Sequence, residues 1–221
     1  DVMNTSSELK TLDRQRYPNL VIVGATGIGH GKTTVAYQLS KVLGFGFIDI
    51  DQRIEERTGK SVAEIFAQDG VETFRAHESA ILESLQGILN HVIVAGAGAI
   101  ENEKNWELLK AIGPTIWLAT PIAEIVHRLI KFPEELEKRP LLADALKIED
   151  TKSREEFLAA KLVELEDRRT SIYSQADHRV TIGFATADTC AQFIKQLLIE
   201  SEEAESGDNV SILAGVANGR R

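Results

Sequence analysis

Gly24-Ala25-Thr26-Gly27-Ile28-Gly29-His30-Gly31-Lys32-Thr33-Thr34 follows the aliphatic run Leu20–Val23 and leads into a segment with Val35, Leu39 and Val42 on one helical face. Strand, glycines, Gly-Lys-Thr and amphipathic helix, in that order, are the parts of a polyphosphate cradle. Glycines let backbone N–H groups turn inward toward phosphate oxygens, and the helix N-terminus adds a positive end. On this pattern Gly27, Gly29, Gly31, Lys32, Thr33 and Thr34 are expected to bind ATP, with Lys32 at the outer phosphates and the Thr33 hydroxyl on Mg²⁺. The spacing is irregular. The usual loop places four residues between its first glycine and the glycine before the lysine, and here His30-Gly31 reads as a two-residue insertion.

On either side, strand and helix signals alternate. Short apolar runs at 20–23, 45–48, 92–95, 115–118 and 179–182 suit buried strands of a parallel sheet. Helical periodicity at 33–43, 71–89, 101–111, 121–131, 154–168 and 186–199 supplies the crossovers. The expected fold is α/β: a three-layer α/β/α sandwich on a five-stranded parallel sheet. Residues 1–18 are polar and read as a flexible arm, 19–200 as the single folded domain, and 201–221 as a disordered tail. The composition fits: 221 residues, 43% hydrophobic and 27% charged. A net charge of −9 argues against nucleic-acid binding, which needs clustered Lys and Arg. No apolar run reaches the roughly 18–20 residues of a membrane span. The lone Cys190 excludes a disulfide framework and reads as a small buried side chain on the last helix.

Asp49 and Asp51 follow the second apolar run, and strand alternation would point both to one side at the carboxyl edge of the sheet, where open parallel sheets hold ligands. One carboxylate suits support of Mg²⁺, the other a hydroxyl nucleophile. Capping of the next helix by Asp51 is the plainer alternative.

The series continues with Phe74-Arg75-Ala76-His77-Glu78, Ala95-Gly96-Ala97-Gly98-Ala99 and Arg139-Pro140-Leu141-Leu142. In this order and spacing the motifs resemble the shikimate kinase family, from Leu20 to Ile199. The resemblance implies a P-loop kinase with a mobile lid over 132–143, working in aromatic amino acid biosynthesis as a monomer. It would transfer the γ-phosphate of ATP to a hydroxyl of shikimate or a related hydroxy acid. It implies catalytic roles for Lys32, Asp51 and Arg139, with Arg139 closing over ATP. Thr33 and Asp49 would serve Mg²⁺, and Asp51, Arg75, Glu78, Gly96, Ala97 and Gly98 would hold the small carboxylate substrate.

Departures from the family pattern accompany the likeness. Besides the loop insertion, Ala97 replaces the middle of three glycines, where a methyl would meet crowded space or need a backbone angle cheap only for glycine. Ser174 follows Ile172-Tyr173, where the resemblance implies a second carboxylate-binding arginine, with Arg168, Arg169 and Arg179 nearby. Glu134, Glu135 and Glu137 stand beside Lys138 and Arg139. Plant shikimate kinase-like proteins of the plastid resemble this pattern, which implies the plastid stroma in a plant or alga and the cytoplasm otherwise. The alternative function is a catalytically inactive relative that binds nucleotide or a protein partner.

Overall fold

The computed structural model describes residues 12–24, 31–137, 139, 141–183 and 185–203. Its elements are β1 (Leu20–Val23), α1 (Lys32–Leu43), β2 (Gly46–Asp49), α2 (Ile50–Thr58), α3 (Val62–Gln68), α4 (Val71–Ser84) and β3 (His91–Val94). There follow α5 (Glu103–Ile112), β4 (Thr115–Ala119), α6 (Ile122–Lys131), α7 (Glu134–Glu137), α8 (Thr151–Tyr173), β5 (His178–Thr181) and α9 (Ala187–Glu203). The described strands form one five-stranded sheet in the order β2-β3-β1-β4-β5, every neighbouring pair parallel. This is the α/β fold expected above.

Strand alternation divides the core. Leu20 and Ile22 face one side, with Val35 and Leu39 of α1 and Ile194 and Leu198 of α9. Val21 and Val23 face the other, with Ile54, Phe74, Leu82, Trp106 and Tyr173. A third apolar cluster joins α6, α7 and α8 through Ile125, Leu129, Leu136, Leu142, Leu158 and Leu162. The segment expected as a lid is therefore tied to the body by Leu136 and Leu142, both buried.

Several boundaries move for identifiable reasons. β2 stops at Asp49, because that side chain caps α2 by accepting from the N–H groups of Asp51 (3.0 Å) and Gln52 (3.5 Å). α4 ends at Ser84 rather than 89, and the chain then turns through Gly87 and Asn90, both at positive φ. Glu101 closes a 3₁₀ turn, Ala99–Glu101, and α5 starts at Glu103 behind the cap Asn102. α8 runs from an Asp150 cap through Tyr173, longer at both ends than its periodicity suggested. The expected arm is packed from residue 12 on, since Leu12 and Tyr17 are buried against the core. Residues 1–11 and 204–221, with the rest of the expected arm and tail, lie outside the described residues. Cys190 is buried and free. Among the described residues no helix is long and apolar enough to cross a membrane.

Candidate active site

The carboxyl ends of β1, β2 and β3 place three segments around one point: the start of α1, the β2–α2 junction and the loop after β3. Residues 25–30, including the expected phosphate ligands Gly27 and Gly29, lie outside the described residues. Beyond them Gly31 precedes α1 and its carbonyl accepts from Val35 N–H at 2.9 Å, so the helix begins normally after the insertion. Lys32, the first residue of α1, is buried, and its Nζ donates to the Ala95 carbonyl at 2.5 Å. Burial pulls its pKa down, against the pull of Asp51 and Asp49. Thr33 is exposed at the same helix end and Thr34 half-buried.

The Thr33 hydroxyl donates to Asp49 Oδ2 at 3.0 Å, while Oδ1 of the same carboxylate caps α2. The helix cap is thus Asp49, not Asp51. Asp51 reaches the site from the first turn of α2 rather than from an alternating strand. Among the described residues no group of three or more His, Cys, Asp or Glu could hold a metal ion. The Thr33–Asp49 pair offers hard oxygens to a divalent cation that takes its remaining ligands from phosphate and water.

Asp51 Oδ1 is enclosed and has no hydrogen-bond partner. Burial raises its pKa, and Asp49 adds to the rise; Lys32 and Arg75 oppose it. Glu78 lies fully buried on α4, with Oε1 also lacking a partner and Oε2 paired with Arg75 one turn earlier. Burial lifts the Glu78 carboxyl to about 7, with Arg75 pulling the other way.

These groups converge on the loop after β3. A Cβ on Gly96 would stand 2.9 Å from Asp51 Oδ1 and 3.0 Å from Glu78 Oε1, and one on Gly98 would overlap the Arg75 guanidinium. The two glycines are there for space. Gly98 has a φ of −94°, and among the described residues the only non-glycine at positive φ is Asn90. Ala97 therefore adopts an ordinary backbone, and the strain expected of its methyl does not arise from φ. Its carbonyl accepts from Tyr173 Oη at 3.4 Å.

Arg139 is largely enclosed, with Nη2 3.6 Å from Glu135 Oε2 and Nε buried without a partner. Burial lowers its pKa, while Glu135 and then Asp51 raise it. Glu134 and Glu137 are exposed; Glu135 is turned inward onto the arginine.

The residues near the position expected for a second arginine differ in their surroundings. Ser174 is exposed and its Oγ donates to the Ser171 carbonyl at 2.9 Å, within its own helix turn. Arg179 lies over the Trp117 ring at 4.4 Å, and Arg168 is more than half exposed. Arg169, one turn before Tyr173, is only 4% exposed and its Nε donates to Glu101 Oε1 at 2.7 Å. Its charge is felt at Lys32 and Tyr173. α8 thus turns Arg169 and Tyr173 onto the loop 96–101. The signal was the spacing of four from Arg169 to Tyr173, which shares a helical face.

Fold and geometry define a class, the P-loop kinases: a lysine and hydroxyl at the helix after β1, two acids at the next strand end, and arginines closing the far side. The family model for shikimate kinase matches residues 28–198. Shikimate kinase of Nostoc punctiforme is 37% identical over 164 residues, 74% of this chain and 81% of that protein. Shikimate kinase 2 of Sodalis glossinidius is 38% identical over 184 residues, 83% of this chain and 97% of that protein. A solved structure, shikimate kinase from Acinetobacter baumannii in complex with shikimate, matches with a TM-score of 0.72 at 31% identity, covering 86% of this chain and 97% of that one. The chain belongs to the shikimate kinase family.

Proposed function

We propose that this protein transfers the γ-phosphate of ATP to a hydroxyl of shikimate. The observation that carries the reading is the enclosed, unpartnered Asp51 Oδ1, set among Lys32, Arg75 and Glu78 against a loop with no side chain at Gly96. An acceptor hydroxyl fits there. Asp51 accepts its hydrogen bond, and burial makes this carboxylate a better proton acceptor than an exposed aspartate.

Lys32 meets the outer phosphates, releasing the Ala95 carbonyl as it does so. Thr33 and Asp49 hold Mg²⁺, which neutralises phosphate charge when bound. Arg75, kept in place by Glu78, and Arg169, tied to Glu101 of the 96–101 loop, supply two guanidinium forks for the substrate carboxylate. Arg139 covers the nucleotide side, where exclusion of water removes a competing acceptor. On this reading the enzyme works as a monomer in the plastid stroma of a plant or alga and in the cytoplasm elsewhere.

Coupled ADP release with Mg·ATP tests the proposal. Turnover that depends on shikimate and falls away with analogues lacking the carboxylate is the expected result. ATP binding without shikimate-dependent ADP release refutes it, leaving the inactive alternative.

A further inference from the structure

Each arginine of the site has a carboxylate partner. Arg75 pairs with Glu78 three residues on, and Arg139 with Glu135 four residues back. Arg169 has a carboxylate partner of a different kind. Glu101 lies 68 residues away, at the end of the 3₁₀ turn that continues the loop Gly96–Gly98.

We infer that Glu101 is a positioning residue for substrate binding, orienting Arg169 toward the acceptor's carboxylate; this rests on the role given to Arg169 above. Arg169 is 4% exposed, and its long side chain leaves helix α8 toward the loop. A guanidinium so placed can point in several directions, and ordering a rotamer-rich side chain at the moment of binding weakens affinity. Glu101 fixes it beforehand. Its Oε1 accepts from Nε at 2.7 Å, which sets the plane of the fork, while Oε2 lies 3.6 Å from Arg168 on the outer face. Two arginines thus hold the carboxylate from either side, and only the inner one is buried.

The same two turns of α8 make a second tie to the loop, where Tyr173 Oη donates to the Ala97 carbonyl. Tyr173 is itself held by stacking on Trp117, with ring centroids 5.4 Å apart and planes 15° apart. The backbone carrying Glu101 is therefore fixed independently of the ion pair. Loss of the Glu101 carboxylate loosens the guanidinium without moving the loop. The cation that binds one end of the substrate is set by a residue of the same loop whose glycines receive the rest.

Steady-state kinetics of Glu101→Ala, Glu101→Gln and Arg168→Ala, varying shikimate and ATP separately, test this. For E101A the KM for shikimate should rise about tenfold, equivalent to about 1.4 kcal/mol, with kcat and the KM for ATP within about twofold. E101Q keeps an acceptor oxygen for Nε and should recover most of the loss. R168A, which removes only the outer partner, should match the unaltered protein. An unchanged shikimate KM in E101A overturns the inference. So does a fall in that KM, which would make Glu101 a competitor of the substrate carboxylate, or an equal rise in both KM values. If the unaltered chain shows no shikimate-dependent turnover, the functional reading itself fails, and this role with it.

Discussion

Replacing Glu78 by glutamine should remove a pH dependence from the stability of the folded chain. Glu78 is 0% exposed, and burial raises its carboxyl from 4.5 to about 7 despite Arg75 beside it. The folded value lies above the unfolded one. Between those pH values the native protein keeps a proton that the unfolded chain has released, so stability falls as pH rises and levels off above about 7. At 1.36 kcal/mol for each pH unit, the interval from 4.5 to about 7 corresponds to about 3 kcal/mol. Asp51 shifts in the same direction and is present in both proteins, and its charge also raises Glu78. Urea unfolding of the unaltered chain and of Glu78→Gln at pH 5, 6, 7 and 8 reads the effect. The two should be close at pH 5, where glutamine imitates the protonated acid. By pH 8 the unaltered chain should have lost about 3 kcal/mol more than the variant. Parallel stability profiles would show that Glu78 is ionised throughout, and the account of its burial would be wrong.

Three further outcomes follow from the geometry. Lys32→Ala removes the buried ammonium beside Ala95 and should abolish ATP binding by calorimetry; unchanged affinity would remove the lysine from the nucleotide site. Gly98→Ala places a methyl on the Arg75 guanidinium and should raise the shikimate KM about tenfold or more, on the order of 1.4 kcal/mol. A KM unchanged in that variant would mean that Arg75 does not contact the substrate. Ser174→Arg should leave turnover unaltered, because the position faces solvent; a gain in turnover would place the second carboxylate ligand at 174 rather than 169.

Much of the candidate site is legible in the chain because its parts are local. Lys32 and Thr33 follow a glycine-rich turn after a strand, and Asp49 and Asp51 follow the next, so chain order alone puts them at the sheet's carboxyl edge. Alternating apolar segments likewise make the parallel sheet and its two covered faces readable. What failed was direction. Asp51 was expected to follow strand alternation, but the Asp49 cap converts the backbone to helix at Ile50 and brings Asp51 in from a helical turn. For Ala97 either crowding or a costly backbone angle was expected; its φ is ordinary, which removes the second, and space rather than torsion is what Gly96 and Gly98 supply.

Sequence by itself determined the family of folds and the residues of the candidate phosphate side, since hydrophobic period, glycine spacing and cap chemistry act over a few residues. Only tertiary structure selected Arg169 for burial, leaving Arg168 and Ser174 exposed and Arg179 over the Trp117 ring. That choice depends on which side of α8 meets a loop almost 70 positions away, and on a buried guanidinium finding Glu101 there. Burial and long-range pairing belong to the packed chain as a whole, so no stretch of residues carries them alone.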